Sequence, residues 1–416
     1  MARTGQRIAA MFECGAMDTN KLFEMALGMG SGWKVVKSEM DVGTRQLRIW
    51  LDFGEGSQFE CPECGEYCGA HDTVEKCWRH LDFWQHQTKL IARVPRVACP
   101  DHGVRQVEVP WARPGSGFTL MMEAMVLLLC QQMSVSAAAS HLGENDTRLW
   151  RVLEHYVKEA HARKDWSQVR RIMVDETSAR RGHRYVTVVV DAESRDLLFM
   201  AEGRGGETLQ AFAQEMAAHG AKPEQIELVC MDMSPAYRKG AREAFPQARV
   251  VFDRFHVMQM VGNALDDVRK SLHRAGADLQ GGLWALRGNA WTRSEQQLAT
   301  RQALCRKYPK LGRAMMLREI LQDVLADEDA ESLTWWCSRA MRSRLEPFKK
   351  VAKSIREHWD GIVAFMETRL TNGLIEAING LLQLAKRMAR GFRSFTNFRT
   401  MAYLKTSHLQ INLPTL

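Results

Sequence analysis

Two short cysteine-rich turns constrain the fold of this chain more than any other feature. Cys61-Pro-Glu-Cys64-Gly and Cys99-Pro-Asp-His102-Gly share one design, in which two ligand residues are separated by two positions and followed by glycine. This spacing lets a tight turn direct both side chains at one tetrahedral Zn²⁺, and the glycine relieves the turn. The two pairs therefore predict one Zn²⁺ bound by Cys61, Cys64, Cys99 and His102, which closes the intervening residues into a hairpin or loop.

Other potential zinc ligands lie between the two turns. They are Cys68, His71, Cys77 and His80. No pairing among them offers a comparable geometry, so we interpret them as spare. Four protein ligands leave no open coordination position, which predicts a structural zinc site and not a catalytic one.

The charge balance of the chain is basic, with 57 Lys and Arg against 49 Asp and Glu, a formal charge of +8. This excess favours a polyanionic partner such as nucleic acid. The strongest apolar stretch, 120–130, is too short to cross a bilayer, and residues 1–14 lack the apolar run of a signal peptide. We therefore expect a cytoplasmic protein with reduced cysteines and no membrane contact.

A helix-turn-helix is predicted within the helical segment 118–162. Ala139 would let two helices approach, Gly143 would permit the sharp turn, and Leu149 and Val152 would pack the second helix on the first. Either Asn145 or Asp146 can cap that second helix. Its outward residues would be Thr147, Arg148, Arg151 and His155, of which the first three are the predicted DNA contacts. An ordinary helical hairpin is the alternative, because the pattern is loose.

Five short apolar segments follow, at 169–174, 185–191, 197–201, 226–231 and 249–252. Helical stretches at 208–219 and 236–245 separate the last three. Three meandering strands followed by helix, strand, helix and strand predict an α/β sheet of mixed pairing. From about residue 256 to 368 the pattern is helical, and a last helix is predicted to begin near Asn372.

Acidic residues directly follow two of these strands. Asp175 ends the first strand, and Asp232 ends the fourth. Carboxylates at adjacent strand ends can converge on one point, where their oxygens suit Mg²⁺ or Mn²⁺. Glu176 is the alternative at the first position, and Asp253 is the alternative at the second.

The last helix supplies a third acid, Glu376. Asn372, Glu376 and Asn379 are spaced four and three residues apart and share one helical face. The predicted buried stripe comprises Leu374, Ile375, Ile378, Leu381 and Leu382. No acid follows Glu376, whereas the polar face continues to basic residues, which predicts a metal ligand with phosphate-binding residues beside it. The predicted phosphate-binding residues are Lys386, Arg387, Arg390 and Arg393.

The order of these features resembles the ISL-three family of insertion-sequence transposases, over about residues 33 to 408. The most specific matches are Cys61-Pro-x-Cys64-Gly, Asp253-Arg-Phe-His256-Val, Thr371-Asn372-Gly-Leu-Ile-Glu376 and Arg390-Gly391-Phe392-Arg393. His102 stands where many members carry a cysteine, and both residues bind zinc. The first thirty residues match nothing identifiable.

The resemblance implies a multidomain α/β protein with a ribonuclease-H-like catalytic domain of the DDE type. By motif, the catalytic triad would be Asp175, Asp232 and Glu376, because the fifth strand of this fold, which precedes Asp253, usually lies beyond the metals. The expected divisions are a segment 1–32 of unknown role, a zinc-binding β domain 33–112, a helix-turn-helix 118–165, a catalytic domain 168–256 with 366–408, and an all-helical insertion 257–365.

The insertion would explain why Glu376 lies so far beyond the fifth strand. Its tryptophans are Trp284, Trp291, Trp335, Trp336 and Trp359. These side chains could stack on an unpaired base at a cut end, but core packing is their expected role. The glycine clusters at 28–32 and 203–206 lack a preceding strand and a following Lys-Ser/Thr, so we expect no nucleotide-binding loop there.

The expected function is metal-dependent cleavage and transfer of double-stranded DNA at the terminal inverted repeats of the element and at target DNA. Catalytic Mg²⁺ or Mn²⁺ and structural Zn²⁺ are the expected cofactors. The pairing of two ends implies a homodimer or larger homo-oligomer in the bacterial cytoplasm, associated with the nucleoid when bound to DNA. The alternatives are a DNA-binding regulator without catalysis and a metal-dependent nuclease that never rejoins strands.

Overall fold

The computed structural model describes residues 18–28, 32–180, 182, 184–280, 282–286, 294–327 and 329–412. The chain forms two compact units, of which the first contains residues 1–153 with 411–416 and the second contains residues 154–410. No helix in the described part of the chain combines the length and the apolar character that a membrane crossing requires.

The first unit is built on a six-stranded sheet. Its strands are β1 (Trp33–Asp41), β2 (Gln46–Phe53), β3 (Gln58–Glu60), β4 (Tyr67–Arg79), β5 (Gln87–Cys99) and β6 (Gly103–Gln106). The sheet order is β1-β2-β5-β4-β3, with β6 paired to β5. Strands β1 and β2 pair antiparallel and form a hairpin over residues 33–53. The residues between the two cysteine-rich turns form the second hairpin, β4 with β5.

One face of this sheet carries the core of the first unit. Alternate residues of β2, such as Leu47, Ile49 and Leu51, are buried there, as a strand with a period of two requires. A short helix, α1 (Thr19–Ala26), adds Phe23 to the same cluster. Part of the predicted segment 1–32 therefore packs on the sheet of the first unit.

Three helices follow the sheet of the first unit. They are α2 (Leu120–Gln132), α3 (Val135–Leu142) and α4 (Asp146–Ala162). Serine and threonine cap two of them, because Thr119 accepts from the amide of Met122 and Ser134 accepts from the amide of Ala137. The last helix, α4, begins in the first unit and ends in the second.

The second unit contains a five-stranded mixed sheet. Its strands are β7 (Arg171–Arg180), β8 (Arg184–Asp191), β9 (Leu197–Glu202), β10 (Leu228–Met231) and β11 (Arg249–Phe252). The order is β11-β10-β7-β8-β9, and β10 runs parallel to both β7 and β11 while β8 runs antiparallel to β7 and β9. The prediction of three meandering strands followed by two strands with helical connections is confirmed.

Two helices connect the last strands of this sheet. They are α5 (Gly206–Met216), followed by a 3₁₀ turn (Ala217–His219), and α6 (Pro235–Ala244). The two helices meet at a pair of glycines, since a Cβ on Gly206 would lie 2.9 Å from Cα of Gly240. The glycine cluster near 203–206 thus serves close helix packing. The expectation that no strand precedes this cluster is wrong, because β9 ends at Glu202.

Helices make up the remainder of the second unit. They are α7 (Arg254–Arg274), α8 (Gly282–Leu286), α9 (Glu295–Lys307), α10 (Pro309–Asp327), α11 (Ala330–Arg342), α12 (Glu346–Glu357), α13 (Trp359–Thr368), α14 (Gly373–Met388) and α15 (Phe395–Thr406). Helix α14 is the one predicted near Asn372. Helix α15 was not foreseen as a separate helix.

The tryptophans of the helical region do not share one role. Trp336 is fully buried and donates from Nε1 to the carbonyl of Leu317 at 2.7 Å, as core packing requires. Trp335 and Trp284 are 50% and 69% exposed, so the expectation of core packing is wrong for them. Trp291 lies outside the described residues.

Candidate functional site

The two cysteine-rich turns bring four potential ligands together in the first unit. The ligand atoms of Cys61, Cys64, Cys99 and His102 all lie within 4.8 Å of one another. The Sγ atoms of Cys64 and Cys99 are 3.7 Å apart, and Nδ1 of His102 is 3.5 Å from Sγ of Cys99. Tetrahedral Zn–S bonds of about 2.3 Å place neighbouring sulfurs about 3.8 Å apart. The geometry and the thiolate and imidazole chemistry of these four residues therefore fit Zn²⁺.

The spare cysteines and histidines lie outside this four-ligand group. Instead, Nδ1 of His80 and Oγ1 of Thr119 share a hydrogen bond of 2.9 Å beside the start of α2. Burial, together with the neighbouring Arg79 charge, lowers the pKa of His80 to about 4. His80 is thus a neutral structural histidine, and it ties β4 to the helical part of the first unit.

The predicted helix-turn-helix has the expected local structure. Gly143 follows α3 with a left-handed φ of 65°, and the side chain of Asn145 accepts from the amide of Thr147 at 2.9 Å, which caps α4. Leu149 and Val152 are buried, as their packing role requires. Asn145, and not Asp146, is therefore the capping residue.

The outward residues of α4 differ in how freely they can reach a ligand. Thr147 and Arg151 are exposed. Arg148 is held by the protein itself, because its guanidinium donates to Glu144 at 2.5 Å and to the carbonyl of Gly117 at 2.9 Å, and lies over the ring of Phe118. These contacts were not foreseen from the sequence. They indicate that Arg148 fixes the start of α4.

Asp175 and Asp232 are neighbours across two parallel strands of the second unit. The register pairs Cys230 of β10 with Met173 of β7; Asp232 directly follows the end of β10, and Asp175 lies two residues beyond Met173 within β7. Burial raises the pKa of Asp175 to about 6, and the charges of Asp232 and Glu176 also raise it, while His256 opposes them. Asp175 lies within β7, which continues to Arg180, so the prediction that Asp175 ends its strand is wrong, whereas Asp232 directly follows the end of β10.

Helix α14 lies along β7 and is hydrogen bonded to it. Asn379 donates from Nδ2 to Oδ2 of Asp175 at 2.8 Å. Gln383 donates to Oγ1 of Thr177 at 2.8 Å, two residues along the strand. Glu376 precedes Asn379 by three residues on the same face of α14 and is itself exposed.

The basic residues after Glu376 do not all continue that face. Lys386 is half-buried and donates from Nζ to the carbonyl of Ser178 at 2.6 Å. Helix α14 ends at Met388, and Arg390 has a left-handed φ of 54°, so the expectation that Arg390 continues the helical face is wrong. Arg387, Arg390 and Arg393 are exposed.

The buried stripe of α14 also differs from the prediction. Ile375, Ile378 and Leu382 are buried as expected, and Ala385 joins them. Leu381 is 50% exposed, so its predicted burial is wrong. The buried stripe of α14 is therefore narrower than predicted.

Asp253, the alternative second ligand, is also near Glu376. The residue follows β11, precedes α7 and is only 2% exposed. Its Oδ1 accepts from the amide of Asn372 at 3.4 Å, and its Oδ2 has no partner. Asp253 and Glu376 line one cavity of about 590 Å³.

Several buried polar atoms around these carboxylates lack hydrogen-bond partners. They include Oδ2 of Asp253, Oδ1 of Asn379 and both side-chain polar atoms of Asn372. Unpaired buried acceptors are costly and rare in folded proteins. Oxygen acceptors and carboxylates are the ligand type that a hard divalent cation binds. Among the described residues, however, Asp175, Asp232 and Glu376 do not form a group whose ligand atoms all lie within 4.8 Å of one another.

Comparisons with known protein families agree with this arrangement along the chain. The DDE transposase model of the ISL3 family, described as "Transposase", matches residues 172–402. The helix-turn-helix domain of transposase family ISL3 matches 107–157, and the zinc-finger of transposase IS204/IS1001/IS1096/IS1165 matches 57–102. The three matches follow one another in the order of the cysteine cluster, the α3–α4 turn and the carboxylate-bearing sheet.

Curated relatives share most of their length with this chain. The transposase for insertion sequence element IS1557 of Mycobacterium tuberculosis is 30% identical over 394 residues, covering 85% of this chain and 87% of the relative. The transposase for insertion sequence element IS1001 of Bordetella parapertussis is 27% identical over 390 residues, covering 90% and 95% respectively. With its matching catalytic, helix-turn-helix and zinc-ribbon regions, the chain belongs to the ISL3 (ISL-three) family of DDE transposases.

Proposed function

We propose that the chain binds the ends of its own insertion sequence and catalyses strand cleavage and strand transfer with Asp175, Asp232 and Glu376. The contact between Asn379 and Asp175 carries this proposal, because it joins the helix of Glu376 to the strand edge of the two aspartates. The mixed five-stranded sheet supports a ribonuclease-H-like catalytic domain. Asp253 is the alternative to Asp232, since it shares a cavity with Glu376.

The three carboxylates would hold Mg²⁺ or Mn²⁺, which activates the attacking oxygen and stabilises the leaving oxygen in phosphoryl transfer. Asn379 orients Asp175 through its hydrogen bond to Oδ2, and Oδ1 of Asp175 accepts from the amide of Glu176 at 2.8 Å, so the protein positions both oxygens of this carboxylate. Arg387, Arg390 and Arg393 are exposed beyond Glu376 and would contact phosphates. Lys386 has a different role in this proposal, because its bond to Ser178 fastens α14 to β7.

The first unit would recognise the element ends. Thr147 and Arg151 are exposed on α4 and are the proposed DNA contacts, while Arg148 positions the helix. The zinc bound by Cys61, Cys64, Cys99 and His102 would hold the hairpin of β4 and β5 together. Terminal inverted repeats are therefore the proposed double-stranded partner of this unit, and target DNA is the second partner of the catalytic unit.

The predicted division of the chain is retained as part of this proposal. Its parts are the segment 1–32, the zinc-binding domain 33–112, the helix-turn-helix 118–165, the catalytic domain 168–256 with 366–408, and the helical insertion 257–365. We also propose a homodimer or larger homo-oligomer, because transposition requires two ends to be held together. The place of action would be the bacterial cytoplasm, where the element DNA lies.

The test is a cleavage and joining assay with purified full-length protein, labelled DNA that carries the element ends, and Mg²⁺ or Mn²⁺. The parent protein is expected to yield both cut ends and joined products. Glu376→Gln should bind the same DNA and cut it at least about a thousandfold more slowly, because loss of a metal ligand forfeits several kcal/mol. Glu193→Gln, which removes an exposed carboxylate in the same unit, is the matched control.

Each alternative has a distinct outcome in this assay. Cut ends without any joined product would identify a nuclease and not a transferase. Binding without metal-dependent cutting by the parent protein would identify a regulator. Full activity of Glu376→Gln would remove Glu376 from the proposed triad.

A further inference from the structure

A second group of potential metal ligands lies in the second unit, among residues that the proposed strand transfer does not use. His161 is on the last turn of α4, Glu215 is on the last turn of α5, and His219 is in the 3₁₀ turn that follows. Their ligand atoms all lie within 4.8 Å of one another. Both imidazoles are buried, at 7% and 5% exposure, and Glu215 is half-buried.

Backbone carbonyls fix the protonation of both rings. Nε2 of His161 lies 2.9 Å from the carbonyl oxygen of Leu198, and Nδ1 of His219 lies 2.9 Å from that of Lys164. A carbonyl only accepts hydrogen bonds, so each of these nitrogens carries a hydrogen. In the neutral rings, the lone pairs therefore lie on Nδ1 of His161 and Nε2 of His219. A histidine that binds a metal donates its other N–H to such an outer acceptor.

The contact between Glu215 and His219 is incomplete without a cation. Oε1 of Glu215 lies 3.8 Å from Nε2 of His219, beyond hydrogen-bond distance. With a neutral His219, both atoms are acceptors and face each other with no hydrogen between them. A tetrahedral ion with bonds of about 2.0–2.1 Å separates neighbouring ligand atoms by about 3.4 Å. The two atoms are therefore spaced for a shared ion with a shift of a few tenths of an ångström.

Aromatic side chains hold the two imidazoles in position. His161 stacks on Tyr403 with ring centroids 4.1 Å apart, and His219 stacks on Trp166 at 3.7 Å. Rings that are packed in this way lose little further freedom when they bind a ligand, so the group is preorganised.

An open cavity of about 400 Å³ borders all three residues. A water or another small ligand can therefore complete a coordination sphere that three protein ligands leave unfilled. Arg399 also lines the cavity. Its positive charge favours an anionic fourth ligand, such as hydroxide or a phosphate oxygen.

We propose that His161, Glu215 and His219 bind a Zn²⁺ ion, separate from the zinc of the cysteine cluster and from the ions of the carboxylates. Two imidazoles and one carboxylate suit Zn²⁺ and not Mg²⁺, which prefers oxygen ligands and waters. The ion would join the C-terminal turn of α4 to the end of α5. The site does not depend on the identity of the catalytic residues.

The test measures zinc bound to the full-length chain after equilibration with Zn²⁺ and removal of free metal. The parent protein is expected to hold two zinc ions. His219→Ala and Glu215→Gln should each hold one, and Cys61→Ser should also hold one. Glu207→Gln, which removes an exposed carboxylate at the other end of α5, should hold two.

Cobalt(II) substitution assigns each ion to its site. The cysteine cluster produces intense thiolate-to-metal absorption in the near ultraviolet, whereas a histidine and carboxylate site produces weak visible bands alone. Glu215→Gln should abolish cobalt binding at the histidine and carboxylate site, which gives no thiolate absorption, and should leave cobalt binding at the cysteine cluster unchanged. A single zinc in the parent protein, or unchanged zinc content in both Glu215→Gln and His219→Ala, would overturn the proposal. Glu215→Gln keeps the proposal testable if His219→Ala does not fold.

Discussion

The cysteine cluster and the carboxylate site differ in the sequence distance between the residues that form them. Cys61 and His102 are 41 positions apart, and two short turns bring their ligand atoms into contact. Asp175 and Asn379, which join the two halves of the carboxylate site, are 204 positions apart. The first site is closed by local geometry, whereas the second exists only when distant segments have packed together.

The two sites also differ in how well their polar groups are satisfied. Each cysteine ligand lies against another ligand of the same set, with no open position. Around the carboxylates, Oδ2 of Asp253 and Oδ1 of Asn379 lack partners, and Glu376 is exposed. A structural metal site can use all of its ligands on the ion, but a reactive site must leave positions for substrate.

The largest expected effect is the loss of a cysteine ligand. Cys61→Ser should release the zinc of this cluster. The part of the first sheet that contains β3 and β6 should then unfold, because structural zinc contributes about 10–16 kcal/mol to the folding of small zinc domains. Zinc content and limited proteolysis of the two units would measure this. Cys77→Ser, at an exposed cysteine outside the cluster, is the control. An intact, protease-resistant first unit without zinc would contradict the proposed role of the metal.

Next in size is the exchange of an aspartate at the strand ends. Asp232→Asn should lower the rate of strand cleavage at least about a thousandfold, since a lost metal ligand forfeits several kcal/mol. DNA binding should persist or tighten, because one negative charge near phosphate is removed. Comparison with Asp253→Asn decides which residue is the second metal ligand. If Asp232→Asn stays active and Asp253→Asn is inactive, the second ligand is Asp253.

A smaller effect concerns the stability of the catalytic unit without divalent ions. Burial raises the pKa of Asp175 to about 6 from the ordinary 3.8. The protonated carboxyl of Asp175 therefore stabilises the folded unit fully below about pH 4, and this stabilisation is lost as the pH rises through about 6. At pH 8 the buried charge should cost about 1–3 kcal/mol.

Asp175→Asn removes this charge and should raise the melting temperature of the catalytic unit at pH 8 by a few degrees, although cleavage is lost. The difference from the parent should narrow as the pH falls from 8 to 5. Thermal melting in buffer without Mg²⁺ or Mn²⁺ measures both effects, with Glu193→Gln as the control. A melting temperature of Asp175→Asn below that of the parent at pH 8 would show that contacts in the folded unit compensate for the charge of Asp175.

The smallest expected effect distinguishes two arginines of the DNA-recognition helix. Arg151→Ala should weaken binding to the element ends by about 1 kcal/mol and lower the salt slope by about one, as loss of a phosphate contact does. Arg148→Ala should instead destabilise the first unit, because it breaks contacts with Glu144 and Gly117. Binding titrations at several salt concentrations, beside thermal melting, separate the two. Equal behaviour of both variants would contradict the distinction.

Local patterns were sufficient to predict much of this protein. The cysteine spacing, the turn at Gly143 and the apolar strand segments beside Asp175 and Asp232 depend on neighbouring residues, which the sequence displays directly. The exposure of Trp335 and Leu381 depends on which neighbouring element each helix packs against. An apolar residue type alone therefore could not show whether these positions are buried or exposed.

Breaks and long-range contacts were harder to foresee. Helical periodicity extended α14 through Arg390, because periodicity does not register the left-handed turn that ends the helix. The group of His161, Glu215 and His219 was missed. Only Glu215 and His219 are close in sequence, and their spacing of four residues was the one available signal.

The late position of α14 has a consequence for the growing polypeptide. The zinc ligands and the recognition helix α4 are synthesised long before Asn379 and Glu376 emerge from the ribosome. On the proposed assignment, a chain that stops before residue 370 can occupy an element end but lacks Glu376, the third acid of the triad, and so cannot cut it. Interrupted translation or a premature stop codon is thus expected to produce a competitor of the full-length enzyme, so incomplete copies of the gene would restrain the element that they came from.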